Sequence, residues 1–310
     1  MQQGRRDNRR CRHARVLTAS LLCLVMTGCV SSPYRFGTAR QYRTSAELAA
    51  VTETQIERGR SRRVIDGVGW VVGIPSKVLL WNRRIDNHHI SPETDAAIAD
   101  YLTKNELDTV KVRLNQYAPR DEWRRLVANK SVSWGWRYSL GTLSWLSETI
   151  VPGRLVGGDH YNPFTNTINV YSDVPAIAIH EAGHSKDFAR RRYKGTYAAL
   201  YLLPVVPLWH EAIATNDALS YLRTEGDFPD EQEAYRVLYP AYGTYAGNAI
   251  STVVPAAGTP LYLAGVVSGH ILGRIRASRI GKERPRKIEP VGYEADATTE
   301  VTETQLEPSR

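Results

Sequence analysis

The sequence predicts an α+β fold, because patterns typical of helices alternate with two short patterns typical of strands. Residues 91–105 begin with a capping serine, a proline suited to the first helical turn and an acid, and so predict a helix. Residues 119–129 also begin with a proline followed by acids, which predicts a second helix. In 110–114 and in 167–171, apolar and polar side chains alternate, which is typical of half-buried strands.

The first 28 residues are typical of an export signal. Residues 1–15 are polar and basic, residues 16–27 are apolar but too short to span a bilayer, and the small residue Gly28 precedes Cys29. The run from Met26 to Cys29 resembles the lipobox of bacterial lipoproteins, which implies cleavage after residue 28 and a lipid on Cys29. The other two of the three cysteines would be removed with the signal, so no free thiol would remain.

The rest of the chain divides by composition, and its 42% of hydrophobic residues is enough for a packed core. Residues 29–62 are polar and predict a tether, while 63–235 carry the helix and strand patterns and predict the main domain. Residues 236–282 are apolar with glycine and proline and predict further helices. Residues 283–310 are polar and predict a disordered tail.

A metal-binding motif lies in a helix that is predicted to start near Asp173 and Pro175. His180, Glu181 and His184 form the pattern HExxH. Residues four positions apart lie on the same face of a helix, so both imidazoles can bind one ion. Glu181 can reach a water on that ion, and Zn²⁺ lowers the pKa of such a water to ~7. The motif therefore predicts a zinc site with Glu181 as general base.

A catalytic zinc site requires a third protein ligand, and Glu211 is the candidate. It follows Pro207 in a second helical pattern, so a helix, a turn and another helix fit between it and the motif. Here the sequence resembles the gluzincins, zinc peptidases with HExxH and a downstream glutamate ligand on a second helix. The resemblance covers about residues 160–223. It implies a zincin-like fold with a small mixed sheet, and zinc bound by His180, His184 and Glu211.

Other side chains remain as alternatives or additions to this ligand set. His210, Asp187 and His160 are rival third ligands. Many gluzincins place an aspartate one turn after the glutamate ligand, where it orients a zinc histidine. Thr215 stands at that position and is a candidate acceptor for the histidine N–H. Asp217 is a second candidate, although it lies six residues after the glutamate and is rotated away.

Two further components of a peptidase site are expected. An edge strand beside the metal can bind a substrate peptide as an additional strand, and Thr167, Asn169 and Tyr171 of the second predicted strand are the candidates. A donor that stabilises the oxyanion is also expected. Its candidates are Tyr161, Tyr171, Tyr221, His160 and His270.

The charge does not indicate a nucleic-acid partner. The formal net charge is +8, but six of the 40 basic residues and one of the 32 acidic residues precede Cys29, which leaves +3. Residues 237–273 are uncharged and long enough to span a bilayer, although Pro255 and Pro260 interrupt them. Both a membrane contact and two buried helices therefore remain open for this run, and the apolar run 196–208 is a candidate rim facing a bilayer.

Together these features predict a zinc metallopeptidase with a peptide or protein substrate. Lipidated Cys29 would attach it to a membrane of the bacterial cell envelope, facing the periplasm. Two other functions remain open: a zinc amidase that acts on cell-wall peptide, and a non-catalytic structural or assembly lipoprotein with a zincin-like core.

Overall fold

A computed structural model describes residues 34–38, 45–226, 228–253 and 258–280. The predicted signal at 1–28, Cys29 and the predicted tail at 283–310 lie outside the described residues. The helices, in chain order, are α1 (Ala46–Ala50), α2 (Arg63–Val72), α3 (Ile74–Leu79), α4 (Pro92–Lys104), α5 (Pro119–Ala128), α6 (Trp134–Trp136), α7 (Thr142–Ile150), α8 (Gly153–Val156), α9 (Pro175–Ala189), α10 (Lys194–Ala199), α11 (Val206–Glu225), α12 (Phe228–Val253) and α13 (Gly258–Arg279), with a π-helical turn at Arg137–Gly141 and a 3-10 turn at Leu200–Leu202.

The strands form one mixed sheet. They are β1 (Ile56–Arg58), β2 (Lys111–Leu114), β3 (His160–Asn162) and β4 (Thr167–Val170). Their order is β1-β2-β4-β3, in which β1, β2 and β4 run parallel and β3 pairs antiparallel with β4. The α+β class predicted from the sequence is therefore confirmed, and the two strands predicted from alternation are β2 and β4.

Both predicted strands are buried along their whole length, not half-buried as the alternation predicted. Lys111 is buried because its ammonium donates to the Glu57 carboxylate at 2.5 Å. The Arg113 guanidinium donates to Glu122 at 2.5 Å and also pairs with Asp121. Acids from β1 and α5 thus neutralise the basic side chains of β2, and this pairing allows them to point into the interior.

Part of the predicted tether at 29–62 belongs to the folded domain. β1 adds a strand beside β2, and Leu48 of α1 is buried. Ser45 caps α1, and its hydroxyl donates to the carbonyl of Ala128 at 2.7 Å. The tether prediction is therefore wrong for residues 45–58, because their polar composition concealed a short strand and a helix cap.

Helix α9, which holds the HExxH motif, lies at the centre of the fold. Pro175 begins it, as predicted, but Asp173 does not cap it. The Asp173 carboxylate instead accepts hydrogen bonds from the Ser91 N–H and the Thr94 hydroxyl at the start of α4. α9 packs against the sheet, α4, α11 and α12, so every residue from 175 to 188 is buried.

The apolar C-terminal run forms a pair of packed helices, α12 and α13. The backbones approach so closely that a Cβ on Gly243 would overlap the carbonyl of Gly265. Such an approach is open only to glycine. The predicted boundary between residues 235 and 236 is wrong, because it falls inside α12, which begins at Phe228.

Among the described residues, no single helix has both the length and the hydropathy expected of a membrane span. The helices Lys194–Leu202 and Val206–Glu225 meet those limits only when they are taken together, and the chain bends by 117° at the break between them.

We expect Arg113→Met to lower the free energy of unfolding by about 3 kcal/mol, because it leaves the buried Glu122 carboxylate without its cationic partner. Urea denaturation followed by tryptophan fluorescence measures this change. Arg120→Met is the matched control, since Arg120 is exposed on the neighbouring helix α5, and its expected effect is below about 0.5 kcal/mol. Equal effects of the two substitutions would contradict a stabilising role for the buried ion pair.

Candidate metal centre

The two histidines of the motif lie one turn apart on α9 and face the same side. Their ring centroids are 4.8 Å apart and the rings are nearly perpendicular, at 88°. Both side chains are buried. This is the arrangement that the spacing of four residues predicted for His180 and His184.

Helix α11 brings Glu211 to the histidine pair. One carboxylate oxygen lies 3.1 Å from Nε2 of His180 and the other lies 3.4 Å from Nε2 of His184. One potential ligand atom from each of the three residues lies within 4.8 Å of the other two. The structure thus brings together the three side chains that the sequence proposed as ligands, and a single ion fits between them.

The close packing of α9 and α11 explains the glycine inside the motif. A glycine within a helix costs about 1 kcal/mol relative to alanine. A Cβ on Gly183 would lie 3.2 Å from the carbonyl oxygen of Ala214 on α11, tighter than ordinary van der Waals contact. Glycine at this position lets the two helices approach closely enough for the ligands to meet.

The outer nitrogen of each histidine faces a hydroxyl group. Nδ1 of His180 lies 3.4 Å from the Thr215 hydroxyl, and Nδ1 of His184 lies 3.2 Å from the Tyr201 hydroxyl. In the tautomer with the proton on Nδ1, each ring donates to its hydroxyl partner and leaves the Nε2 lone pair for a metal ion. Two imidazoles and one carboxylate, oriented in this way, fit the His₂Glu ligand set of catalytic zinc sites.

The electrostatics of the cluster favour a cation. Burial raises the pKa of Glu211, but the two histidines outweigh this effect and hold its pKa well below the usual range. Burial lowers the pKa of His184, but the Glu211 carboxylate outweighs this effect and raises the pKa to about 9. A bound cation would take the place of the proton on His184, since metal ligands must be deprotonated.

A cavity of about 410 Å³ opens beside the cluster. Glu181, His184 and Glu211 line it, together with residues from β3, from the turn before α11, and from α12. Its apolar lining includes Phe164, Phe188, Tyr201, Pro204, Pro207 and Leu208. The cluster can therefore be reached from this side.

Glu181 faces the same cavity without belonging to the ligand group. Its side chain is 8% exposed. Tyr245 lines the same cavity, and the negative charges of Glu211 and Glu181 raise the pKa of its hydroxyl. A carboxylate beside the metal cluster but outside it suits proton transfer rather than ligation.

The rival ligands have other partners. The His210 ring is stacked on Tyr197, with centroids 4.3 Å apart, and burial lowers its pKa to about 4. Asp187 accepts hydrogen bonds from Arg191 and from the Tyr197 hydroxyl, at 2.5 Å each, so it is a local partner of an arginine. His160 lines the cavity but is bound by Glu148, 3.5 Å away.

Asp217 does not support the metal ligands. Its carboxylate pairs with the Lys186 ammonium at 3.0 Å and accepts a hydrogen bond from the Tyr101 hydroxyl. The prediction that it is a candidate to orient a ligand is therefore wrong, because it faces α4 instead of the cluster. Thr215 alone of these two candidates contacts a ligand.

The strand that was expected to lie at a sheet edge and bind a peptide is an interior strand. Thr167, Asn169 and Tyr171 were expected at a sheet edge, but β4 lies between β2 and β3, and Tyr171 follows its last residue. The edge beside the cavity is formed by β3, whose residues His160 and Tyr161 line it. Sequence patterns identified the strand but not its neighbours, because the pairing of a three-residue strand leaves no periodic signal.

Most of the predicted oxyanion donors are occupied elsewhere. The Tyr161 hydroxyl donates to Asn166, and the Tyr221 hydroxyl donates to Asp100. The His270 ring contacts the carbonyl of Leu79. Tyr171 packs against Gly153. His160 lines the cavity, but its ring nitrogens contact the Gly158 carbonyl and the Glu148 carboxylate.

Tyr245 of α12 is a functional candidate that the sequence did not reveal. It lines the same cavity as Glu211 and Glu181. Asn248, one turn later, lines the cavity as well. Both lie in the uncharged run that composition assigned to a separate segment, and no local pattern marks them.

Comparison with protein-family models, curated proteins and solved structures found no match. The resemblance to gluzincins therefore rests on the sequence of residues 160–223 alone.

We expect the protein to bind one equivalent of Zn²⁺, and His184→Ala to weaken that binding by at least about 100-fold, because it removes one of three ligands. Isothermal titration of the chelator-treated protein with zinc measures both affinities. His210→Phe is the control, since this aromatic substitution keeps the stack on Tyr197 and leaves the ligands intact. Unchanged affinity in the His184→Ala variant would show that zinc binds elsewhere.

Proposed function

We propose that this protein is a zinc-dependent metallopeptidase, attached to a membrane of the bacterial cell envelope through lipidated Cys29 and facing the periplasm. The observation that carries the proposal is the buried cluster of His180, His184 and Glu211 beside an open cavity that Glu181 also lines. The attachment is supported by the lipobox-like sequence that ends at Cys29.

A zinc ion held by the cluster would supply Lewis acidity, which polarises a peptide carbonyl and increases the acidity of a water molecule. Glu181 is the residue assigned to proton transfer. It would accept a proton from the attacking water and pass it to the nitrogen of the leaving amine. Its position beside the ligands, with no ligand role of its own, supports this assignment.

The outer edge of β3 and the apolar wall of the cavity support a peptide substrate. A peptide in extended conformation can pair with an exposed strand edge through main-chain hydrogen bonds. Phe164, Phe188 and Leu208 would then contact an apolar side chain of that peptide. The substrate class that fits best is an extended peptide segment with an apolar residue next to the cleaved bond.

Tyr245 is the residue assigned to stabilise the negative charge that develops on the carbonyl oxygen. Tyr245 lines the cavity that Glu181 and Glu211 also line, and its hydroxyl is a donor carried by α12. A fixed donor aimed at a developing oxyanion lowers the barrier more than a mobile one does.

We expect Glu181→Gln to reduce peptide cleavage by about 10²–10⁴-fold while zinc binding is retained, because the amide cannot accept the proton. Cleavage of a fluorogenic peptide library by the purified full chain, with zinc content measured in parallel, tests this. Glu93→Gln, on the exposed surface of α4, is the matched control and should leave cleavage unchanged.

The same assay separates the alternative functions. Full activity in the Glu181→Gln variant would refute the role of Glu181. Bound zinc without peptide cleavage would contradict the peptidase proposal; hydrolysis of cell-wall peptides would then support the amidase alternative, and inactivity on both would support a non-catalytic lipoprotein.

We expect Tyr245→Phe to lower kcat by about 100-fold with little change in KM or in zinc affinity, because it removes one oxyanion donor and no ligand. Steady-state kinetics on the best library peptide measures the two constants separately. Tyr138→Phe, at an exposed tyrosine outside the cavity, is the matched control. A rise in KM alone would assign Tyr245 to substrate binding instead.

A further inference from the structure

The outer surface of α2 and α3 is apolar. Val64, Val68 and Val71 of α2, Ile74 and Val78 of α3, and Trp81 immediately after it are all exposed, and Trp81 is 69% exposed. A surface helix of a water-soluble domain normally turns its apolar side chains inward. In α2 the apolar side chains point outward, so this surface has the composition of an interface.

The two ionisable side chains within this run both turn away from the outer surface. Lys77 is buried, and its ammonium donates to the carbonyls of Trp70 and Asp86 at 2.9 and 3.0 Å. Asp66 accepts a hydrogen bond from Arg154 at 2.8 Å. Both charged groups therefore lie away from the outer surface of residues 64–81, and that surface is uncharged.

Trp81 extends this surface to α13. Its indole stacks on the His270 ring, with centroids 4.7 Å apart, and the Arg274 guanidinium lies 4.5 Å from the indole centroid. On α13, exposed apolar side chains recur every four residues and form a stripe. This stripe consists of Leu263, Val267, Ile271 and Ile275. We call the exposed apolar side chains of 64–81 and of this stripe the apolar face.

Basic residues border the apolar face. Arg60 and Arg62 precede α2, Arg63 is its first residue, and Arg276 and Arg279 lie at the end of α13; all five are exposed. Asp66, already paired, is the one acid between residues 60 and 84, and residues 258–280 contain none. The face therefore joins an uncharged centre to a cationic rim.

We propose that the apolar face binds the surface of an anionic lipid bilayer, with α2 lying in the plane of the interface. Amphipathic helices with tryptophan on the apolar side and arginine at the border bind in this way. Each arginine near the rim gains attraction to anionic headgroups. A second copy of the chain is a poorer occupant, because a symmetric contact would bring two cationic rims together.

This interaction does not rest on the metal chemistry, but it deepens the proposed envelope location. The apolar face would add a second membrane contact to the lipid proposed on Cys29 and would fix the orientation of the protein on the bilayer.

Hydrogen–deuterium exchange on the full chain tests the proposal. The protein is bound to vesicles of phosphatidylcholine alone or of an equimolar mixture with phosphatidylglycerol. We expect the amides of residues 63–81 to exchange about tenfold more slowly on the anionic vesicles than in solution, because interfacial burial suppresses local opening. Reading exchange at α2 distinguishes this contact from attachment through the N-terminal segment.

Two variants and their controls complete the experiment. Val68→Asp with Val71→Asp should abolish the slowing, whereas Leu143→Asp with Ile150→Asp, which introduces the same charges on exposed α7, should retain it. Arg63→Glu with Arg276→Glu should lower the protection on anionic vesicles by about tenfold without changing the apolar centre.

Three outcomes would overturn the proposal. Exchange in 63–81 that vesicles do not slow would exclude a bilayer contact. Slowing that appears without vesicles and increases with protein concentration would assign the face to a second copy of the chain. Slow exchange without vesicles at every concentration would assign it to another segment of the same chain.

Discussion

A close contact between α9 and α11, at Gly183 and Ala214, is the constraint on which the candidate site depends. His180 and His184 lie on either side of Gly183, and Glu211 lies one turn before the contact on α11. Helix axes separated by bulkier side chains would move the carboxylate away from both imidazoles. The glycine therefore serves the site indirectly, by setting the distance between the two helices that supply its ligands.

The same two helices are joined again beyond this contact. Lys186 of α9 and Asp217 of α11 form an ion pair of 3.0 Å, and the Tyr101 hydroxyl of α4 also donates to Asp217. The ligand cluster, the glycine contact and this ion pair thus follow one another along a single helix–helix interface. Such an interface holds ligands at fixed separations before any ion binds, which reduces the ordering cost of metal binding.

The two histidines were predictable from the sequence because their geometry is local, and Glu211 was proposed from a second helical pattern downstream, whereas the walls of the cavity were not predictable. The spacing of four residues on one helix predicted that His180 and His184 face the same side. Thr215 was a candidate partner of a ligand because it lies one turn after Glu211. Tyr245 arrives from α12 by tertiary packing, and nothing in its neighbourhood marks it. The alternation in β2 predicted a strand correctly but predicted its burial wrongly, because Arg113 has acidic partners that lie elsewhere in the chain.

The uncharged C-terminal run contributes both to the cavity beside the metal cluster and to the apolar face. Tyr245 and Asn248 of α12 line the cavity, while the outer stripe of α13 belongs to the apolar face. The two helices approach at Gly243 and Gly265, where the backbones leave no room for a side chain. Close-packed helices of this kind move together, since interiors are dense and resist small shifts. A bilayer against α13 would therefore be held at a fixed position relative to the cavity wall, so that membrane binding and access of substrate share one structural element.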